Sequence, residues 1–260
     1  MLSDTLFRVA RQEGLRSLQL RGEGGARELS SWRLKLGAGK SEIFVSQTDE
    51  SVFVLQEGSV VLDAGGKHWE ASRAGVFQEP ASALYLPRGM EVNVSAATEV
   101  EGIFMGAPTE SAGSPKFLDS GQVNIIHRGV ESYAREVHDI FVKDSAPQRL
   151  LVGETFTPPG NWSSYPPHKH DGRDGESKLE EVYHYRVEPD SGFGYQTLYT
   201  AEGESVTHMV KDGDAVVIPY GYHPVAAPPG YRLYYLWALV GEERKLAVYD
   251  DPQHSWITAS

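Results

Sequence analysis

The sequence predicts an all-β protein built as two sandwiches or barrels in tandem, and three observations carry that prediction. Apolar, β-branched and aromatic residues fall in short runs bounded by Gly, Pro, Asn and Asp, at 51–55, 59–63, 150–156, 181–187, 215–218 and 232–237. Helical periodicity is weak, with short helices expected only at 2–12 and 129–137. Finally, two landmarks recur along the chain at nearly the same offset: Glu50-Ser-Val-Phe-Val-Leu reads like Glu181-Val-Tyr-His-Tyr-Arg-Val, 131 residues on, and Pro87 reads like Pro219, 132 residues on.

The length of 260 residues suits two domains, each large enough to bury its own core. The turn-rich stretch 109–115, poor in apolar residues, places the boundary so that residues 1–112 form a first domain and 113–260 a second. With no cysteine, thiol catalysis, disulfides and Cys-zinc sites are excluded, and a metal would have to rest on imidazole and carboxylate. The 24 basic and 36 acidic residues leave a formal net charge of −12, which disfavours binding to nucleic-acid backbones. The N-terminal residues lack a signal-peptide pattern, and no apolar stretch reaches the length of a membrane span, so a cytoplasmic protein without membrane contact is expected.

The chemistry concentrates in the second half. In His168-Lys-His170, residues two apart on a strand project to one face, so both imidazoles stand side by side while Lys169 points the other way. Glu181 opens an alternating run that puts Tyr183 and Tyr185 on its own face. The run Gly213-x5-Pro219-x-Gly221-x-His223 delivers a third imidazole from a tight turn. Three imidazoles and one carboxylate hold a divalent metal ion and leave coordination positions open, as a catalytic site needs. His68, His127, His138, His208 and His254 have no ligand partner at strand spacing and are read as structural.

The spacing His-x-His, Glu, then Gly-x5-Pro-x-Gly-x-His resembles the two motifs of cupins. The longer strings Val152–Asp171, Leu179-Glu-Glu-Val-Tyr, Gly192-Phe-Gly-Tyr-Gln and Gly221-Tyr-His-Pro-Val-Ala-Ala-Pro-Pro-Gly-Tyr are more specific, and with them the chain resembles the bicupin uronate isomerases of myo-inositol catabolism. That resemblance implies two jelly-roll cupin domains and an aldose–ketose isomerisation of 5-deoxy-glucuronate to 2-deoxy-5-keto-gluconate. It also implies one divalent ion, zinc or manganese, on His168, His170, Glu181 and His223. The sequence departs from the family in His184 and in residues 236–241, neither of which touches a ligand. The first half has no histidine before His68 and carries Arg88 after Pro87, so it is read as a degenerate cupin without a metal site, serving as scaffold and interface.

Tyr183 and Tyr185, beside a metal-bound hydroxide, are the candidate proton-transfer groups, and Glu154, Trp162, Lys169, Gln196 and Tyr199 the candidate substrate contacts. The acidic sugar also needs a cation, for which Arg149, Arg173 and Arg186 stand beside Lys169. Association into a homo-oligomer through strand edges is expected. Two other functions compete: a metal-dependent cupin dioxygenase using iron, and a non-catalytic sugar-binding cupin.

Overall fold

A computed structural model describes residues 1–144 and 146–257. Among them are β-strands and short 3-10 turns, with no α-helix and hence no helix long and apolar enough to cross a membrane. A nine-stranded sheet is organised on the long strand Asp49–Ala64 in the first half. A seven-stranded sheet in the second half has Leu179–Glu188 between Ala215–Ile218 and Arg232–Gly241. Facing it, a four-stranded sheet that includes Gly194–Tyr199 and Ser205–Val210 closes the second sandwich, giving the tandem jelly-roll architecture of a bicupin.

Three cores hold this arrangement. One fills the first sandwich around Phe53, Leu55 and Phe104, and one fills the second around Tyr183, Tyr185, Leu233 and Tyr235. The third lies between the halves, where Val52, Val54 and Met105 pack with Val182, Leu236 and Ala238. Odd and even residues of the central strands therefore serve different cores, and Leu179–Glu188 is buried at almost every position. Strands covered on both faces read as unbroken apolar runs, which is why alternation is faint in the sequence.

Strand register gives the relation between the halves. Ser51 pairs with Leu86 and Gly106, while Glu181 pairs with Ile218 and Leu239. Because Leu86 and Ile218 each precede their turn proline, Ser51 matches Glu181 and Glu50 matches Glu180. The sequence alignment of Glu50 with Glu181 is thus one residue out of register, a slip that exchanges the two faces of a strand. Glu50 and Glu180 have equivalent tasks: each reaches across to the other half. Glu50 accepts from the backbone N–H groups of Gln148, Arg149 and Leu150 at 2.7–2.8 Å. Glu180 accepts from those of Arg27, Glu28 and Leu29 at the same distances.

Two arms cross the expected boundary. Leu6–Phe7 pairs with Ala215–Ile218 in the second sandwich, and Lys116–Leu118 pairs with Ala83–Leu86 in the first. The helix expected at 2–12 is instead a 3-10 turn followed by this strand, because the backbone finds an open sheet edge and Leu2 buries in the second core. The helix expected at 129–137 is likewise a 3-10 turn, Glu131–Tyr133, leading into strand Arg135–Phe141.

Candidate metal centre

The motif histidines approach one another from separate segments. His168 lies on the short strand His168–Lys169, which pairs with Tyr249–Asp250 near the C-terminus. His170 follows it, Glu181 sits in the central strand, and His223 follows the turn at Gly221, whose φ of 88° suits glycine. The ligand atoms of His170, Glu181 and His223 lie within 4.8 Å of one another. His168 stands beside this tight trio, its ring centroid 4.7 Å from that of His223 and 6.5 Å from that of His170.

Backbone carbonyls aim the rings. Nδ1 of His170 donates to Leu179 O at 3.0 Å, Nδ1 of His223 to Gly221 O at 3.0 Å, and Nδ1 of His168 to Pro166 O at 3.4 Å. A carbonyl only accepts, so each Nδ1 carries a proton and each Nε2 is the nitrogen left for a ligand role. Nε2 of His223 is buried without a hydrogen-bond partner, 3.5 Å from Glu181 Oε2, and Nε2 of His170 is 3.1 Å from the same oxygen. Burial holds His223 well below the usual imidazole range and, with the nearby His170, pushes His168 down to about 3. Burial also pushes the Glu181 carboxyl up, with His170 opposing it. Burial thus keeps His168 and His223 neutral, whereas at His170 burial is outweighed by the hydrogen bond and charge of Glu181, which raise it. Imidazoles around a desolvated carboxyl form a donor set that fits a divalent cation, and an orphaned buried nitrogen is what such an ion would satisfy.

The centre lies in a cleft of about 680 Å³ that Tyr183, Tyr235, Ser164 and Tyr165 also line. Tyr183 shares a hydrogen bond with Ser164 Oγ at 3.0 Å and stacks on Tyr235, with ring centroids 4.2 Å apart. Burial first, then the charge of Glu181, push the Tyr183 phenol well above its ordinary value. Tyr185 is equally buried but outside the cleft lining: its hydroxyl donates to Gln196 Oε1, and Gln196 Nε2 donates to the His223 carbonyl at 2.8 Å. These two residues support the backbone of His223.

The remaining expected contacts lie elsewhere. Glu154 is fully buried at the junction of the halves, paired twice with Arg73 at 2.8 and 3.1 Å and accepting from Tyr234 at 2.6 Å, so it has no free valence for substrate. Lys169 points away from the imidazoles into a cluster of Asp171, Asp174 and Glu176. The hydroxyl of Tyr199 donates to Asp251 at 2.6 Å, tying down the segment that pairs with His168. Trp162 is 40% exposed and does not line the cleft, but packs on Tyr165, which does, with ring centroids 5.4 Å apart. Arg149 and Arg186 are engaged by Glu28 and Asp212, and Arg173 by Glu202. Sequence reasoning missed Ser164, Tyr235, Arg128 and Arg135, all of which face the cleft. The alternation Arg135-x-Val137-x-Asp139 was the available signal for the last, hidden by reading that segment as helix.

Comparison with known proteins agrees with this fold. The 5-deoxy-glucuronate isomerase of Geobacillus thermodenitrificans is 38% identical over 217 residues, covering 81% of this chain and 79% of that protein. The enzyme of the same name from Bacillus subtilis strain 168 is 35% identical over 231 residues, covering 86% of this chain and 85% of that protein. The crystal structure of an IolB-like protein from Salmonella typhimurium LT2 superposes with a TM-score of 0.92 at 31% identity, covering 98% of this chain and 99% of the other. An oxalate decarboxylase from Lactobacillus farciminis matches with a TM-score of 0.69 at 14% identity, over 100% of this chain and 89% of the other, a likeness of fold alone. The pattern of the KduI/IolB family spans residues 20–257, and the chain belongs to that family.

Proposed function

We propose that this protein is an aldose–ketose isomerase converting 5-deoxy-glucuronate to 2-deoxy-5-keto-gluconate in myo-inositol catabolism, with one divalent ion, zinc or manganese, held by His168, His170, Glu181 and His223. The observation that carries the reading is the cleft itself: three imidazoles with inward Nε2 atoms and a buried carboxylate, in a chain whose relatives bear one enzyme name. When bound, such an ion supplies Lewis-acid polarisation of the oxygens on C1 and C2 of the sugar. The reaction is redox-neutral overall: a proton leaves C2, one arrives at C1, and the hydroxyl proton moves from O2 to O1.

The side chains divide the remaining work. Tyr183 keeps its proton near neutral pH, because burial and Glu181 both oppose its ionisation. It therefore serves as a proton donor to a sugar oxygen, with Ser164 and Tyr235 fixing its hydroxyl. Tyr185 and Gln196 act as positioning residues for His223, and Tyr199 for His168 through the Tyr249–Asp250 strand. A cytoplasmic setting and association of copies belong to the same proposal, the second tested by sedimentation velocity.

Proton NMR of the metal-loaded protein with 5-deoxy-glucuronate in D2O tests the reading. The expected result is the 5-keto acid, abolished by chelation and restored by added metal. Absence of conversion by folded, metal-loaded protein overturns the substrate assignment, and oxygen consumption would then favour the dioxygenase. Tyr183→Phe is expected to lower kcat by roughly 10²–10⁴-fold with metal content unchanged; full activity removes Tyr183 from proton transfer.

A further inference from the structure

The substrate's carboxylate needs a cation, and the lysine and arginines that the motifs suggested are already engaged by acidic partners. The two arginines that line the histidine cleft are not. Arg128 and Arg135 are direct cross-strand partners, on strands Asn124–Arg128 and Arg135–Phe141, so both side chains leave the sheet on one face. Both line the cleft that holds His168, His170 and Glu181. Among the described residues neither makes an ion pair with a carboxylate; Arg16, Arg27 and Arg244 make none either but do not line the cleft, whereas most other arginines are paired, Arg33 and Arg73 among them.

Like charges placed directly opposite one another on a ladder repel, and among the described residues no carboxylate pairs with either one, Asp250 acting on Arg135 only at longer range. The half-buried Arg135 guanidinium donates to Tyr133 O at 3.2 Å, which leaves most of its donors uncommitted. Room for it comes from Gly129, where a Cβ would lie 2.7 Å from Arg135 Nη1 and 2.3 Å from Tyr133 O. Burial pushes the Arg135 guanidinium down, and Arg128 adds to this, so a bound anion would favour its charge. Asp139 and Asp250 face the same cleft, Asp139 accepting from Asn124 Nδ2 at 3.3 Å.

We infer that Arg128 and Arg135 form the carboxylate-recognition site of this enzyme, clamping the acid end of a sugar acid whose carbonyl end lies at the histidine cluster. The inference rests on the isomerase reading for the identity of the sugar, while the anion site itself does not. Paired guanidiniums match a carboxylate geometrically, and the clamp discriminates an acid from the corresponding neutral sugar at the end remote from the chemistry.

The test compares 5-deoxy-glucuronate with 5-deoxy-glucose, in which a hydroxymethyl group replaces the carboxylate. The variants are Arg135→Met, Arg135→Lys and Arg128→Met/Arg135→Met, each verified by circular dichroism and metal content. In Arg135→Met, kcat/KM for the acid is expected to fall about 10- to 100-fold, with Arg135→Lys recovering part of it and turnover of the neutral sugar unchanged. A binding measurement separates this inference from the isomerase reading: 3-hydroxybutyrate carries the CHOH–CH2–carboxylate end of the substrate and is followed by line broadening in NMR. Binding to the parent chain and not to the double variant supports the clamp, even if 5-deoxy-glucuronate is not turned over. Equal binding to both, or equal loss on acid and neutral sugar, overturns it, even if the parent chain is an active isomerase.

Discussion

Replacing Arg73 by Met tests what joins the two halves. Arg73 and Glu154 are both 0% exposed, and the guanidinium also donates to Leu55 O at 2.8 Å and Glu79 O at 3.0 Å. Met fills similar volume without charge, leaving Glu154 with Tyr234 at 2.6 Å and His138 Nδ1 at 3.7 Å. Breaking a buried pair from one side costs about 3–5 kcal/mol, because the remaining charge keeps its desolvation penalty. The two orphaned carbonyls add about 1 kcal/mol each. Removing both charges in Arg73→Met/Glu154→Gln should recover at least about 2 kcal/mol relative to Arg73→Met. Urea unfolding followed by tryptophan fluorescence and far-UV circular dichroism measures these differences. The pH dependence has a defined sign. In the parent chain burial pushes the Glu154 carboxyl up and Arg73 more than reverses this, leaving it below its ordinary value. That contribution is present above the unfolded carboxylate pKa and is lost as the pH falls. Without Arg73, burial dominates and raises the carboxyl, so the remaining contribution is present at low pH and lost as the pH rises. The gap between parent and variant should therefore narrow from about pH 7 to about pH 5. A single variant within about 1 kcal/mol of the parent, or a double variant no better than the single, would refute the reasoning.

Glu181→Gln and His223→Ala should each lower bound metal at least about tenfold after dialysis, measured by mass spectrometry, with circular dichroism unchanged; retention at the parent level removes that residue as a ligand. Gly153→Ala places a Cβ 2.3 Å from Trp237 Cζ2 and 2.5 Å from the His138 carbonyl, and an overpacking cost of about 1–3 kcal/mol should lower Tm. An unchanged Tm would show that Trp237 can move aside. Lys169→Met takes the cation from Asp171, Asp174 and Glu176, so amide hydrogen exchange in 171–178 should speed up while exchange in the first half stays constant.

By itself the sequence determined the β architecture, the duplication and the four candidate ligands, because each is written in local chemistry. Turn residues punctuate strands, and His-x-His, Glu181 and the glycine-proline turn before His223 have spacings tied to strand geometry. The sequence also offered reason to read the first half as lacking the site, since it has no histidine before His68 and carries Arg88 after Pro87, whereas the pairing register alone puts Ser51 where Glu181 stands. Tertiary structure alone decided what depends on who sits across a strand or an interface. Glu50 and Glu180 became cross-half clamps because their faces meet the other half, and Glu154 became an ion-pair partner because Arg73 arrives from 81 residues away. Within residues 2–12, Leu6–Phe7 became an edge strand because an open edge was nearer to hand than helical hydrogen bonds. Arg128 and Arg135 are seven residues apart and unremarked in sequence, yet antiparallel pairing sets them side by side at the cleft. Local patterns fix which way a residue tends to point, whereas its partner is chosen by contacts between distant segments, which one-dimensional spacing does not encode.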